Sequence, residues 1–131
     1  MPTRELVHSL ACKDLLADAS VSIATTTTYL DTQNYDAATF LITAGATAPA
    51  PTSIVMEESD ASGSGYTTVA AAEVIGAADI ASWAVSKTFR LGYVGTKRYA
   101  RLVITPNGAT TVGVKGLLGL PDQFTPPNPG V

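Results

Sequence analysis

Cysteine, histidine and tryptophan occur once each, charged residues make up only 15% of the chain, and no apolar run is long. Each scarcity closes off a class of function. Cys12 has no second cysteine to join, so no internal disulfide can form and the fold needs no oxidising compartment. His8 cannot by itself build a histidine metal site or an acid–base pair. The same lack leaves Ser62-Gly63-Ser64-Gly65 without the base a serine nucleophile needs, and no strand-to-helix elbow surrounds it. Lys13 and Asp14 beside Cys12 offset each other, so nothing marks the thiol as a nucleophile. The net charge of −3 argues against direct contact with nucleic acid, which rewards a clustered basic excess. The longest apolar stretch, Val69 to Ala78, is broken by Glu73 and Gly76 and is far shorter than the roughly 18 residues of a membrane helix. Charges at Arg4, Glu5, Lys13 and Asp14 interrupt any signal-type run at the start of the chain.

What remains is a chain of 131 residues, 46% apolar, which is enough for one domain with its own core. Between Asp36 and Leu120, short β-rich runs alternate with glycine, proline, serine and asparagine. Leu6 to Ala17 reads either as a short helix or as an extended arm. Val21 to Tyr29, with Thr25 to Thr28 stiffened at χ1 by β-branching, reads as a strand or an arm. Ala38 to Ala44 is a strand, Pro49 and Pro51 mark a loop, and Ser53 to Glu58 is a strand that pairs with Tyr66 to Ala71 across the flexible Ser59 to Gly65. Ala77 to Ala84 is either one helical turn or a loop that brings Trp83 to the core. Thr88 to Val94 puts Phe89, Leu91 and Tyr93 on one face, and Gly95-Thr96-Lys97 is expected to fold the chain back as a hairpin into Arg98 to Thr105. There Ala100, Leu102 and Ile104 share one face and Tyr99, Arg101 and Val103 the other, the pattern of a strand covered on both sides. Pro106-Asn107-Gly108 turns the chain into a last strand, Thr110 to Leu118.

The absence of βαβ spacing and a count of about seven or eight strands predict an all-β antiparallel β-sandwich of jelly-roll type, with extended N-terminal and C-terminal arms. Residues 1–28 are an N-terminal arm or first strand, 29–120 the sandwich, and 121–131 a tail with prolines at 121, 126, 127 and 129.

Gly92-Tyr93-Val94-Gly95-Thr96-Lys97 has the wrong glycine-to-lysine spacing for a phosphate loop and precedes a strand. Glu57, Glu58 and Asp60 lack calcium-loop spacing and read as a solvated strand edge. Lys97, Arg98 and Arg101 concentrate the positive charge; they either pair with carboxylates of the same chain or reach an acidic neighbour, where arginine could grip a carboxylate with two bonds.

The stretches Tyr29-Leu30-Asp31-Thr32-Gln33-Asn34-Tyr35-Asp36-Ala37-Ala38-Thr39-Phe40 and Tyr93-Val94-Gly95-Thr96-Lys97-Arg98-Tyr99-Ala100-Arg101-Leu102 resemble small tailed-bacteriophage jelly-roll capsid decoration (cement, head-stabilising) proteins. An Asp-Thr-x-x-Tyr entry to the first core strand, an acidic-Ser-Asp hairpin and a Gly-x-Lys-Arg-Tyr segment follow in the same order over residues 29–120. The resemblance brings no catalytic residue, cofactor or metal. It implies a non-enzymatic protein made in the host bacterial cytoplasm and carried on the outer surface of the virion capsid. It also implies a homotrimer that clamps neighbouring subunits of the major capsid protein, with neither nucleic acid nor membrane as a partner. Lys97, Arg98, Arg101 and Phe124 are the candidate capsid or subunit contacts. The alternatives are another virion part, such as a head fibre base, neck or tail protein, and a carbohydrate-binding jelly roll on the virion surface.

Overall fold

In the computed structural model, residues 10–45, 50–77 and 83–121 are described. The N-terminal residues 1–9, with Arg4, Glu5 and His8, and the tail 122–131, with Phe124, lie outside them. Among the described residues, ten strands make two antiparallel sheets. The first holds β1 (Ala11–Val21), β10 (Thr110–Pro121), β4 (Tyr35–Ala44), β8 (Thr88–Tyr93) and β7 (Val74–Ile75), side by side in that order. The second runs β2 (Thr25–Thr26), β9 (Tyr99–Thr105), β5 (Ser53–Ser59) and β6 (Thr67–Thr68), with β3 (Leu30–Asp31) also on β9. Taking β2 with β3 as one interrupted strand, and β7 as a short addition to β8, gives the interleaved order of a jelly roll, in which most connections cross from one sheet to the other. The protein is an all-β jelly-roll sandwich.

The core follows from the alternation in the sequence. Phe40 and Ile42 of β4, Leu102 and Ile104 of β9, and Val112 and Val114 of β10 are at most 1% exposed. They meet Phe89, Leu91 and Leu30 between the sheets. Gly116 sits beside Phe40 in register, and a Cβ there would come within 2.6 Å of Leu30 Cδ1. The glycine is what lets the buried Leu30 close over β10.

Several expectations need correction. β8 and β9 do not form a hairpin: β8 pairs with β4 and β9 with β5, in opposite sheets. Alternation identifies the buried face of each strand but not its neighbour, and here the two buried faces look at each other across the core. The crossing is built on Tyr93, whose hydroxyl accepts the Lys97 N–H at 3.0 Å while the chain passes closely enough that a Cβ on Gly95 would strike its ring. β5 is no solvated edge either, since it lies between β9 and β6. β9 is covered on one face only, its outer residues Tyr99, Arg101 and Val103 being half-buried. Ser59 to Gly65 is a fastened tip: Ser59 Oγ donates to the Ser64 carbonyl at 2.6 Å and accepts from the Ala61 N–H at 3.0 Å. Ala11–Val21 is an edge strand on β10, with bulges near Leu16, so the reading of Leu6 to Ala17 as a helix or an arm gives way, over the described residues, to the first strand that residues 1–28 were also expected to offer. Trp83 stacks on Phe89 with ring centroids 4.9 Å apart, while residues 78–82 of its segment, on which the choice between turn and loop falls, lie outside the described residues.

Candidate functional site

The outer face of the second sheet gathers the charged residues picked out in the sequence with aromatics that were not. On β9, the positions facing away from the core are Tyr99, Arg101 and Val103; on β5 they are Glu57 and Val55, each directly opposite its β9 partner. Arg101 Nε donates to Glu57 Oε1 at 2.9 Å, and the guanidinium lies 3.7 Å from the centre of the Tyr66 ring. The pair is partly shielded, with side chains 30% and 22% exposed, and is the least exposed of the four ion pairs among the described residues. Burial pushes the Tyr66 phenol above its ordinary value.

Beside it, Arg98 grips Asp31 with two bonds, Nε to Oδ1 and Nη2 to Oδ2, both 2.9 Å. Asp31 is opposite Tyr99 in register, and Thr32 ties the same corner by donating its hydroxyl to the Arg98 carbonyl at 2.8 Å. The Arg98 guanidinium stands 4.9 Å over the Tyr99 ring, Tyr99 meets Tyr29 edge to face at 5.0 Å, and Lys13 caps Tyr29 at 4.8 Å. Lys97 pairs with Asp60 at 2.8 Å on the adjoining rim. Lys97, Arg98 and Arg101 are therefore all engaged with carboxylates of their own chain, the first of the two readings of that charge. Phe124 lies outside the described residues.

The result is a patch of tyrosine and arginine whose side chains are held in place by contacts within the chain. Such residues supply large contact area at modest entropic cost and dominate the binding energy of protein interfaces. The hydrogen bond from Arg98 holds the Asp31 carboxyl below its ordinary value of 3.8, despite some opposing burial. Because the folded value is the lower one, the pair's contribution to stability is fully present above the ordinary value and disappears as pH falls through the folded value. We expect Asp31→Asn to lower the urea midpoint at pH 6 and to converge with the parent protein as the pH falls through the folded value; an offset that stays constant as the solution is acidified would contradict this.

Glu58, one residue from the patch, points inward and ties the sheets together. Tyr93 donates its hydroxyl to Glu58 Oε1 at 2.6 Å, and burial together with this bond raises the phenol well above its ordinary value. Tyr93→Phe strands both Glu58 and the Lys97 N–H, so unfolding should become easier by about 1–3 kcal/mol in denaturant titrations; an unchanged midpoint would remove the bond from the account.

Among the described residues no group of three or more His, Cys, Asp or Glu could hold a metal, and no helix is long and apolar enough to cross a membrane. Sequence reasoning missed Tyr29, Tyr66, Tyr99 and Lys13 because the fold, not their spacing, unites them. The available signal was the opposite charge of Asp31 and Arg98 inside the two resembling stretches. No protein-family model, curated protein or solved structure matches the chain.

Proposed function

We propose that this chain is a structural virion protein, a capsid decoration or cement protein that binds the assembled major capsid lattice as a homotrimer and stabilises a bacteriophage head. The observation that carries the reading is spatial. The two stretches that resemble the decoration family, Tyr29 to Phe40 and Tyr93 to Leu102, lie against each other through the Arg98–Asp31 and Thr32–Arg98 bonds. Together they border the tyrosine and arginine patch. A rigid sandwich suits a clamp that must not deform, because surfaces fixed in advance lose little entropy on docking. Stabilisation works by mass action: copies that bind the assembled, expanded shell better than its loose precursor shift the shell toward that state, and repetition over a symmetric lattice adds avidity.

A carbohydrate-binding reading is favoured by one fact, the grouping of Tyr29, Tyr66 and Tyr99 on one face, since sugar rings stack on aromatics. The test is sedimentation of purified protein with heads that lack it, alongside mass measurement of the free protein. Saturable binding to expanded shells with a trimeric mass is the expected outcome. Failure to bind shells, with capture on a glycan array, would replace it with the carbohydrate reading.

A further inference from the structure

A groove of about 470 Å³ crosses the outer face of the other sheet, where β4, β8 and β7 run side by side. Its floor is Thr39 and Gly92, paired across β4 and β8, and its walls are Ile75 and Val94, which are 59% and 54% exposed. Arg90 lines it on one side and Asp36 on the other.

Two features set this groove apart from an ordinary sheet surface. Gly92 is not required by the fold: a Cβ there would make only ordinary contact with Ile75 Cβ at 3.4 Å, and its backbone is not in the left-handed region. What the glycine achieves is a bare floor between two aliphatic side chains. Arg90 is the second feature. Lys97, Arg98, Arg101 and Lys115 each pair with a carboxylate, and Lys13 and Lys87 lie over aromatic rings. Among the described residues Arg90 has no carboxylate partner, in a chain whose net charge is −3.

We propose that the groove is a second binding site, one that takes an extended segment of a partner polypeptide carrying an apolar side chain and, two residues further on, a carboxylate. In an extended chain, alternate side chains project on one face about 6.6–7 Å apart, and the same spacing separates Arg90 from Gly92 along β8. The apolar side chain sits over Gly92 between Ile75 and Val94, and the carboxylate meets the Arg90 guanidinium, which is shaped to hold it with two bonds. Asp36 repels a carboxylate at the opposite end and so fixes the direction of the bound segment. The site rests on the groove alone and not on the capsid reading; if both hold, one copy carries docking surfaces on opposite faces of the sandwich.

The test is nuclear magnetic resonance on the full chain, following the Gly92 amide and the Ile75 and Val94 methyls. The probes are two capped peptides, Ser-Phe-Ser-Asp-Ser and the same sequence with Asn for Asp. Saturable shifts confined to these three residues are expected with the Asp peptide, and binding about three- to fivefold weaker with the Asn peptide. Arg90→Gln, an exposed change that leaves the core untouched, should weaken the Asp peptide by the same factor and leave the Asn peptide unaffected. Absent or scattered shifts would overturn the site. Equal binding of both peptides, or indifference to Arg90→Gln, would overturn the carboxylate assignment.

Discussion

If the proposed decoration role holds, Arg101→Ala is expected to weaken attachment to the shell by about thirtyfold or more, the loss typical of a residue at the centre of an interface. Arg101 is the middle of the patch: it bonds Glu57 at 2.9 Å and covers Tyr66 at 3.7 Å, so its removal leaves a half-buried carboxylate without its partner and frees an aromatic ring to wander. Both effects weaken docking, the first by leaving an uncompensated charge to be buried and the second by loosening the free surface, which then loses more entropy when it docks. Lysine at the same position restores the charge but not the planar stack or the directed Nε bond, and should recover only part of the affinity. Ser20→Ala, on the exposed edge strand β1, serves as the control and should leave attachment unchanged. Shell binding by Arg101→Ala equal to that of the parent protein would show that the patch is not the docking surface.

The largest effect on stability is expected from Phe40→Ala. Phe40 is fully buried at the middle of β4, with Gly116 on one side in register and Leu91 on the other. Gly116 has no side chain to move into the space, and Leu30 already closes over it, so the cavity cannot collapse from that side. Removing a buried phenylalanine from such a site costs about 3–5 kcal/mol, a large share of the roughly 5–15 kcal/mol that holds an ordinary domain together. Urea titration of the two proteins measures it. A loss under about 1 kcal/mol would mean that Phe40 is not at the core.

Much of the fold was written in local pattern. Alternation gave the buried face of β8 correctly in Phe89, Leu91 and Tyr93, but β9, where only Ala100, Leu102 and Ile104 face the core, had read as covered on both sides. It could not give the pairing, because strands packed face to face across a core carry the same alternation as strands side by side. The glycine and lysine of Gly95-Thr96-Lys97 looked like a hairpin turn, yet the chain uses them to cross between sheets over the Tyr93 ring. β1 was hard to read for a different reason. An edge strand with most of its residues exposed and bulges in its register has neither a clean twofold nor a clean helical period.

The candidate site was legible only in part. Lys97, Arg98 and Arg101 stood out as a cluster of charge, but their carboxylate partners lie 37, 67 and 44 residues away along the chain. No spacing rule links positions that distant. Tyr99 was hidden further because β9 had read as covered on both sides; Tyr93 of β8 belongs to the core, whereas Tyr99 faces outward.

The most direct measurement is electron cryomicroscopy of expanded heads saturated with this protein. Density for the sandwich on the outer surface of the shell, with the β9–β5 face and Arg101 against capsid subunits, is the result expected. Undecorated shells at saturating protein, or a domain attached with that face turned to solvent, would contradict the account.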